Sequence, residues 1–152
     1  QCLAKLLPTP LDLFCRFFMP AKLIVRRNNK FELRHSGYDR EMNVPFLSGC
    51  FMFLRVSALK SEGIFDERFF MYMEDVDLTR RLHAKHKTLF YPSVSIYHRF
   101  SRLSYHKWKL SLAHMASVVK YFNKWGWIYD SSRRRFNKTL LKELKQQTKN
   151  ED

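Results

Sequence analysis

Glycine is scarce in this chain of 152 residues: there are four, with five prolines beside them. So few backbone breakers exclude a collagen-like or low-complexity chain and leave room for long regular elements. Cysteine is confined to Cys2, Cys15 and Cys50, an odd number without metal-ligand spacing. That argues against a disulfide framework and for free thiols in a reducing compartment. Acidic residues are also few, 14 against 28 Lys and Arg, for a net charge of +14. Such an imbalance predicts an anionic partner: nucleic acid, anionic lipid headgroups or a phosphorylated substrate. Nucleic acid is the weakest of the three, because no RNA-binding signature or zinc-finger spacing accompanies Arg26-Arg27, Arg80-Arg81 or Arg133-Arg134-Arg135. No apolar run approaches the roughly 18 residues of a membrane span. Pro8, Pro10, Pro20 and scattered basic residues exclude a signal-peptide core at the start. The expected location is the cytoplasm, or a membrane face turned towards it.

What the chain does have is apolar and aromatic mass. Hydrophobic residues make up 45% and aromatics 16%, which excludes a disordered chain and suffices for one domain with its own core. It opens on Gln1 in mid-pattern, so a piece of a longer polypeptide is expected.

The richest stretch is Gly63 to Arg81, GIFDERFFMYMEDVDLTRR. It sets Phe65, Phe69, Phe70 and Tyr72 directly against Asp66, Glu67, Glu74, Asp75 and Asp77. Large apolar side chains belong inside and carboxylates outside, so this interleaving predicts the border of core and cleft. The period changes at Glu74, where Val76, Leu78 and Leu82 begin a helical apolar face. Asp77 stands three and four residues before Arg80 and Arg81, within helix-pair reach. Glu74 and Asp75 are thus placed at a helix N-terminus, whose dipole favours negative charge. Capping and surface ion pairs are the plain explanation of these carboxylates. Their neighbours argue for more. Before them, Phe46-Leu-Ser-Gly-Cys-Phe-Met-Phe-Leu-Arg is an apolar run broken at Ser48-Gly49, where backbone can approach a ligand closely. After them, Thr88 to His98 is a strand candidate that ends on a histidine. A small-residue loop, a carboxylate pair and an imidazole are therefore expected around one open cleft.

In chain order, Cys2 to Leu7 reads as the end of a helix stopped by Pro8-Thr-Pro10. Leu11 to Met19 reads as a second helix with Leu11, Phe14, Cys15 and Phe18 on one face, ended by Pro20. Residues 21–43 are basic and poorly periodic, which predicts a loop; it faces headgroups or a diphosphate, or is merely solvated. Val44 to Arg55 is expected as a buried strand or strand-like turn and Ser57 onward as a short helix stopped by Gly63. Glu74 to about His86 is the central helix, and Thr88 to His98 a strand that Pro92 sets at an edge or bulge. Tyr105 to Trp125 reads as a long helix ended by Gly126, with Trp108, Leu112, Met115, Val119 and Phe122 as its apolar stripe. That stripe either packs on the rest of the domain or docks on a membrane or partner. Asn137 to Lys149 closes the chain as a polar helix.

SGCFMFLR, then ALKSEGIFDERFFMYMEDVDLTRRL, then LFYPSVSIYH together resemble the C-terminal half of family 2 glycosyltransferases. The likeness is nearest to the rhamnosyltransferase-like enzymes of bacterial O-antigen and capsule polysaccharide synthesis. It runs from about Val44 to Asp130, and YFNKWGWIYD is similar to the tail of that subgroup. One departure is Ile64, where the family usually has a second glycine before FDE.

The resemblance implies an α/β chain, the acceptor-side half of a GT-A fold: a mixed sheet with flanking helices and a C-terminal helical extension. Residues 1–43 would be a helical and loop connector from an absent nucleotide-binding half, 44–104 the acceptor-side core and 105–152 the extension. It also implies inverting sugar transfer from a nucleotide-sugar donor to a saccharide or lipid-linked acceptor. Asp75 would be the general base, Ser48, Gly49 and Glu74 would bind substrate, and His98 would be a metal ligand. A divalent metal, Mg or Mn, would be held mostly by the absent half. Asp75-Val-Asp77 is not the metal motif, because helical residues two apart do not face each other. A non-catalytic alternative stands beside the enzyme: a basic module docking on anionic membrane or on a separate nucleotide-binding partner.

Overall fold

A computed structural model describes residues 2–98 and 108–149. The architecture is mixed α/β, with strands of only two residues each and six α-helices among the described residues. Strand β1 (Ala4–Lys5) pairs antiparallel with β3 (Phe46–Leu47), Ala4 opposite Leu47 and Lys5 opposite Phe46. Strand β2 (Met42–Asn43) pairs antiparallel with β4 (Leu89–Phe90), Met42 opposite Phe90. Thr88 locks this junction: its N–H donates to Asn43 Oδ1 (2.9 Å) and its hydroxyl to the Val44 carbonyl (2.5 Å).

Helix α1 (Pro10–Phe18) starts from local chemistry. Thr9 Oγ1 accepts from the Asp12 N–H (3.1 Å), Asp12 Oδ2 accepts from the Thr9 N–H (2.8 Å), and Pro10 presets the first turn. A 3₁₀ turn (Ala21–Ile24) leads into α2 (Val25–Phe31), so the predicted loop over 21–43 is largely helical. Ile24, Phe31, Leu33 and Met42 supply the missing reason, since each is buried. Cys2 to Leu7, expected as a helix end, is instead extended and carries β1.

Helix α3 (Val56–Glu62) stops at Gly63, whose φ of 81° and N–H bond to the Leu59 carbonyl (2.8 Å) make the expected C-terminal stop. Helix α4 (Glu74–His83) is the central helix. It packs on β3 and α3, with Leu78 and Leu82 against Ala58 in a small second core. The main core gathers Leu6, Leu7, Phe31, Leu33, Val44, Phe46, Phe69, Met73, Val76, Tyr121, Phe122, Leu140 and Leu144 from both ends of the chain. Helices α5 (Trp108–Trp125) and α6 (Ser131–Lys149) complete it. Residues 105–107 of the predicted long helix lie outside the described residues, whereas α6 begins six residues earlier than Asn137.

Several extended predictions shrink. Over Val44 to Arg55 the strand is confined to Phe46–Leu47 and the rest follows the turn alternative; after Ser48-Gly49 the backbone turns out, and Phe53 is 97% exposed. The strand from Thr88 to His98 is real only at Leu89–Phe90, because the chain turns at Pro92, which has no N–H for a ladder. The inward faces of α1 and α5 also differ from the apolar stripes. Leu11, Phe14 and Phe18 are exposed while Leu13 and Cys15 are buried. On α5 only Phe122 of the predicted stripe is buried, together with Ser117 and Tyr121.

Candidate functional site

Polar anchors explain why α5 turns a mixed face inward. Asp77 is fully buried and accepts from Arg81 Nε (2.9 Å), Lys124 Nζ (2.7 Å) and Trp125 Nε1 (2.7 Å). Arg80, 1% exposed, donates to Asp130 (2.6 Å), Ser132 (2.5 Å) and the Tyr121 hydroxyl (3.1 Å), and its guanidinium lies 4.0 Å from the Trp125 ring centroid. Asp130 in turn caps α6, accepting from the Arg133 N–H (2.9 Å). Burial pushes the Asp130 carboxyl up, but the Arg80 bond and charge outweigh it and hold it below its ordinary value. Arg80 and Asp130 were not singled out in the sequence as a pair. A signal exists: Arg80 falls four residues after Val76 on the apolar face of α4. Asp77 makes the expected helix pair with Arg81, but buried and not exposed, as an interior junction of α4 with α5.

These anchors brace the segment before α4. Lys124 also reaches Asp66 (2.8 Å), Lys120 reaches the Arg68 carbonyl (2.8 Å), and Ser117 reaches the Met71 carbonyl (2.8 Å). Tyr72 stacks on His114 at 4.2 Å between centroids. Tyr72 and Met73 both take left-handed backbone, φ 65° and 66°, an unfavourable choice for non-glycine residues that the braces hold in place. The two left-handed residues turn the aromatic stretch sharply into Glu74, the first residue of α4.

At that turn the carboxylate of Asp75 is clamped by backbone. Oδ2 accepts from the Gly49 N–H (2.9 Å) and Oδ1 from the Val76 N–H (2.8 Å). Glycine at 49 is what permits the approach, because a Cβ there would lie 3.1 Å from Asp75 Cβ. Ser48, half-buried, fixes the loop from the other side through its N–H to the Leu3 carbonyl (2.9 Å). Burial pushes the Asp75 carboxyl above its ordinary value, against the pull of the Gly49 and Val76 N–H bonds and of Lys5. Glu74 is raised too, by burial and then by the Asp75 charge, and its Oε2 is buried without a hydrogen-bond partner. Desolvation is the largest influence on both groups, and it acts against the negative charge that a helix N-terminus favours. A carboxylate with a raised pKa is a stronger proton acceptor, and two such neighbours mark a candidate site.

Ser48, Gly49, Glu74 and Asp75 are therefore brought together. His98 stands in no strand, exposed, with no hydrogen bond or ion pair among the described residues. Nor do any three His, Cys, Asp or Glu side chains gather into a metal site among those residues. Among the described residues no metal centre is assembled around His98. A cavity of about 310 Å³ lined by Glu41, Asn43, Lys87 and Glu143 contains none of the predicted site residues. No described helix is long and apolar enough to cross a membrane.

Part of this chain is similar to a curated N-acetylglucosaminyl-diphospho-decaprenol L-rhamnosyltransferase of Mycobacterium tuberculosis, found in two strains. Identity is 48% over 59 residues, which are 38% of this chain and 19% of the relative. No family model matches the chain, and no solved structure matches it. The chain thus spans about a fifth of the length of the curated relatives it matches, and within that stretch it is related to a glycosyltransferase.

Proposed function

We propose that this chain supplies the acceptor side of an inverting glycosyltransferase of family 2, GT-A type, acting in cell-surface polysaccharide synthesis. The observation that carries this reading is the Asp75 carboxylate, aimed by the N–H groups of Gly49 and Val76 at the mouth of α4. The similarity to a rhamnosyltransferase supports the reaction class.

Asp75 takes the proton of an acceptor hydroxyl as that oxygen attacks the anomeric carbon of a nucleotide sugar. The new glycosidic C–O bond forms while the bond to the diphosphate breaks, and the electron pair leaves with the diphosphate. Each Asp75 oxygen carries one backbone N–H bond and retains a lone pair, so the carboxylate is oriented without being saturated. Glu74, beside Asp75 in the first turn of α4, orients the acceptor, and the Ser48-Gly49 loop lines the site next to Asp75. A divalent metal, Mg or Mn, would neutralise the departing diphosphate, with ligands expected from the donor side. The acceptor is a saccharide or a lipid-linked sugar. Free Cys2, Cys15 and Cys50 suit the reducing cytoplasmic side of a membrane as the place of action.

Release of nucleoside diphosphate from a panel of nucleotide sugars, with and without saccharide acceptors, tests the reading in the complete polypeptide. Acceptor-dependent release with an inverted anomeric product is the expected result. Release that ignores the acceptor, or retention of configuration, would contradict it.

A further inference from the structure

The segment from α1 through α2 has an outer surface that the transferase reading leaves unused. Phe14, Phe18 and Leu23 are each more than half exposed, and Leu11, Met19 and Val25 accompany them. Leu11, Phe14 and Phe18 recur at intervals of three and four on one side of α1, and the Phe14 and Phe18 rings lie 4.9 Å apart between centroids. Lys22, Arg26 and Lys30 are exposed along the same segment, four residues apart. Asp12 is the only acidic residue between Pro10 and Phe31, and it is already engaged by Arg27 (2.6 Å) and by the Thr9 cap. The segment thus carries exposed aromatic mass and exposed positive charge together, with no exposed acid.

We infer that this α1–α2 surface docks on an anionic phospholipid bilayer, lying in the interface plane. The chemistry selects that occupant. A nucleic acid would engage the three cations and leave an aliphatic and phenyl ridge in water. A protein groove would take the ridge only if carboxylates ringed it to meet the three cations. A bilayer interface takes both, apolar side chains at the acyl boundary and cations among the phosphates. The inference stands apart from the transferase reading, since none of these side chains touches Asp75.

Sedimentation with phosphatidylcholine vesicles holding about a third phosphatidylglycerol, against pure phosphatidylcholine, is the test. Binding is expected to the anionic vesicles, falling as salt rises. A cation near such a surface contributes about fivefold in affinity, so Lys22→Gln/Arg26→Gln/Lys30→Gln should weaken binding on the order of a hundredfold. Phe14→Ser/Phe18→Ser should lower it roughly tenfold or more while leaving charge unchanged. Both variants alter exposed positions, and an unchanged far-ultraviolet circular dichroism spectrum verifies that each is folded. Equal binding to neutral and anionic vesicles, or undiminished binding by either folded variant, would overturn the inference.

Discussion

Replacing Asp77 with asparagine separates the two acidic residues that stand two positions apart on α4. The Asp77 carboxylate is fully buried and takes three donors, two of them cationic: Arg81, Lys124 and the Trp125 indole. Asparagine has nearly the same shape but one acceptor oxygen, no charge, and an NH₂ that must face another donor. Each charge-assisted bond lost costs about 1.5–3 kcal/mol. Part of this is recovered, because Arg81 keeps the carbonyls of Gly63 and Ile64 and Lys124 keeps Asp66. A net loss of about 2–4 kcal/mol is expected. At roughly 2–4 °C per kcal/mol for a chain of this size, the melting temperature should fall by about 5–15 °C. An exposed helix pair would cost only about 0.3–0.5 kcal/mol. Urea denaturation of the two proteins side by side decides between these values. A loss of less than about 0.5 kcal/mol would show that Asp77 is solvated in solution and refute the buried junction.

Three further outcomes follow from the same structure. Asp130→Ala strands the Arg80 guanidinium in the interior and should cost about 3–5 kcal/mol in denaturant melts. In the parent protein the Asp130 carboxyl is held below its unfolded value, so its contribution is complete above about pH 4 and disappears as pH falls through the lower folded value. His114 is pushed down to about 4, by burial and then by Arg16. The unfolded chain then binds a proton that the folded one refuses, and stability should fall by about 3 kcal/mol as pH drops from about 6.5 to 4; His114→Gln should flatten that slope. Gly49→Ala presses a methyl group 3.1 Å from Asp75 Cβ and should slow transfer about tenfold while leaving the melting temperature nearly unchanged.

Local signals were legible in the chain, and tertiary ones were not. Gly63 after α3 and Glu74-Asp75 at the start of α4 act within one turn of their own position, and the expected boundaries stand there. Pro8-Thr-Pro10, expected to stop a helix, instead leads into one. Gly49 beside Asp75 was within reach of reasoning, since a small-residue loop next to a carboxylate pair permits close approach. The inward face of α5 was not. Periodicity favoured Trp108, Leu112, Met115 and Val119, but Tyr121 and Ser117 are buried, bonded to Arg80 and the Met71 carbonyl, and Trp125 is half-buried on Asp77. Such polar bonds between distant elements have no period. The basic run over 21–43 misled for a related reason: Ile24, Phe31 and Leu33 are widely spaced, yet each finds the core through a helix or turn. Lys5 was overlooked as well, although β1 pairs with the strand leading to Gly49 and its charge acts on Asp75.

Asp75→Asn in the complete polypeptide, compared with parent protein for transfer rate, donor affinity and melting temperature, tests the proposed base directly. The variant keeps the volume at the mouth of α4 and removes the proton acceptor. Turnover should fall roughly 10²- to 10⁴-fold, with donor affinity nearly unchanged. The acid limb of the parent rate, set above the ordinary carboxylate range by burial of Asp75, should vanish in the variant's residual activity. The melting temperature should stay within a few degrees, because relief of a desolvated charge offsets the loss of one backbone hydrogen bond worth about 1 kcal/mol. Near-normal turnover by a folded Asp75→Asn protein would contradict the assignment.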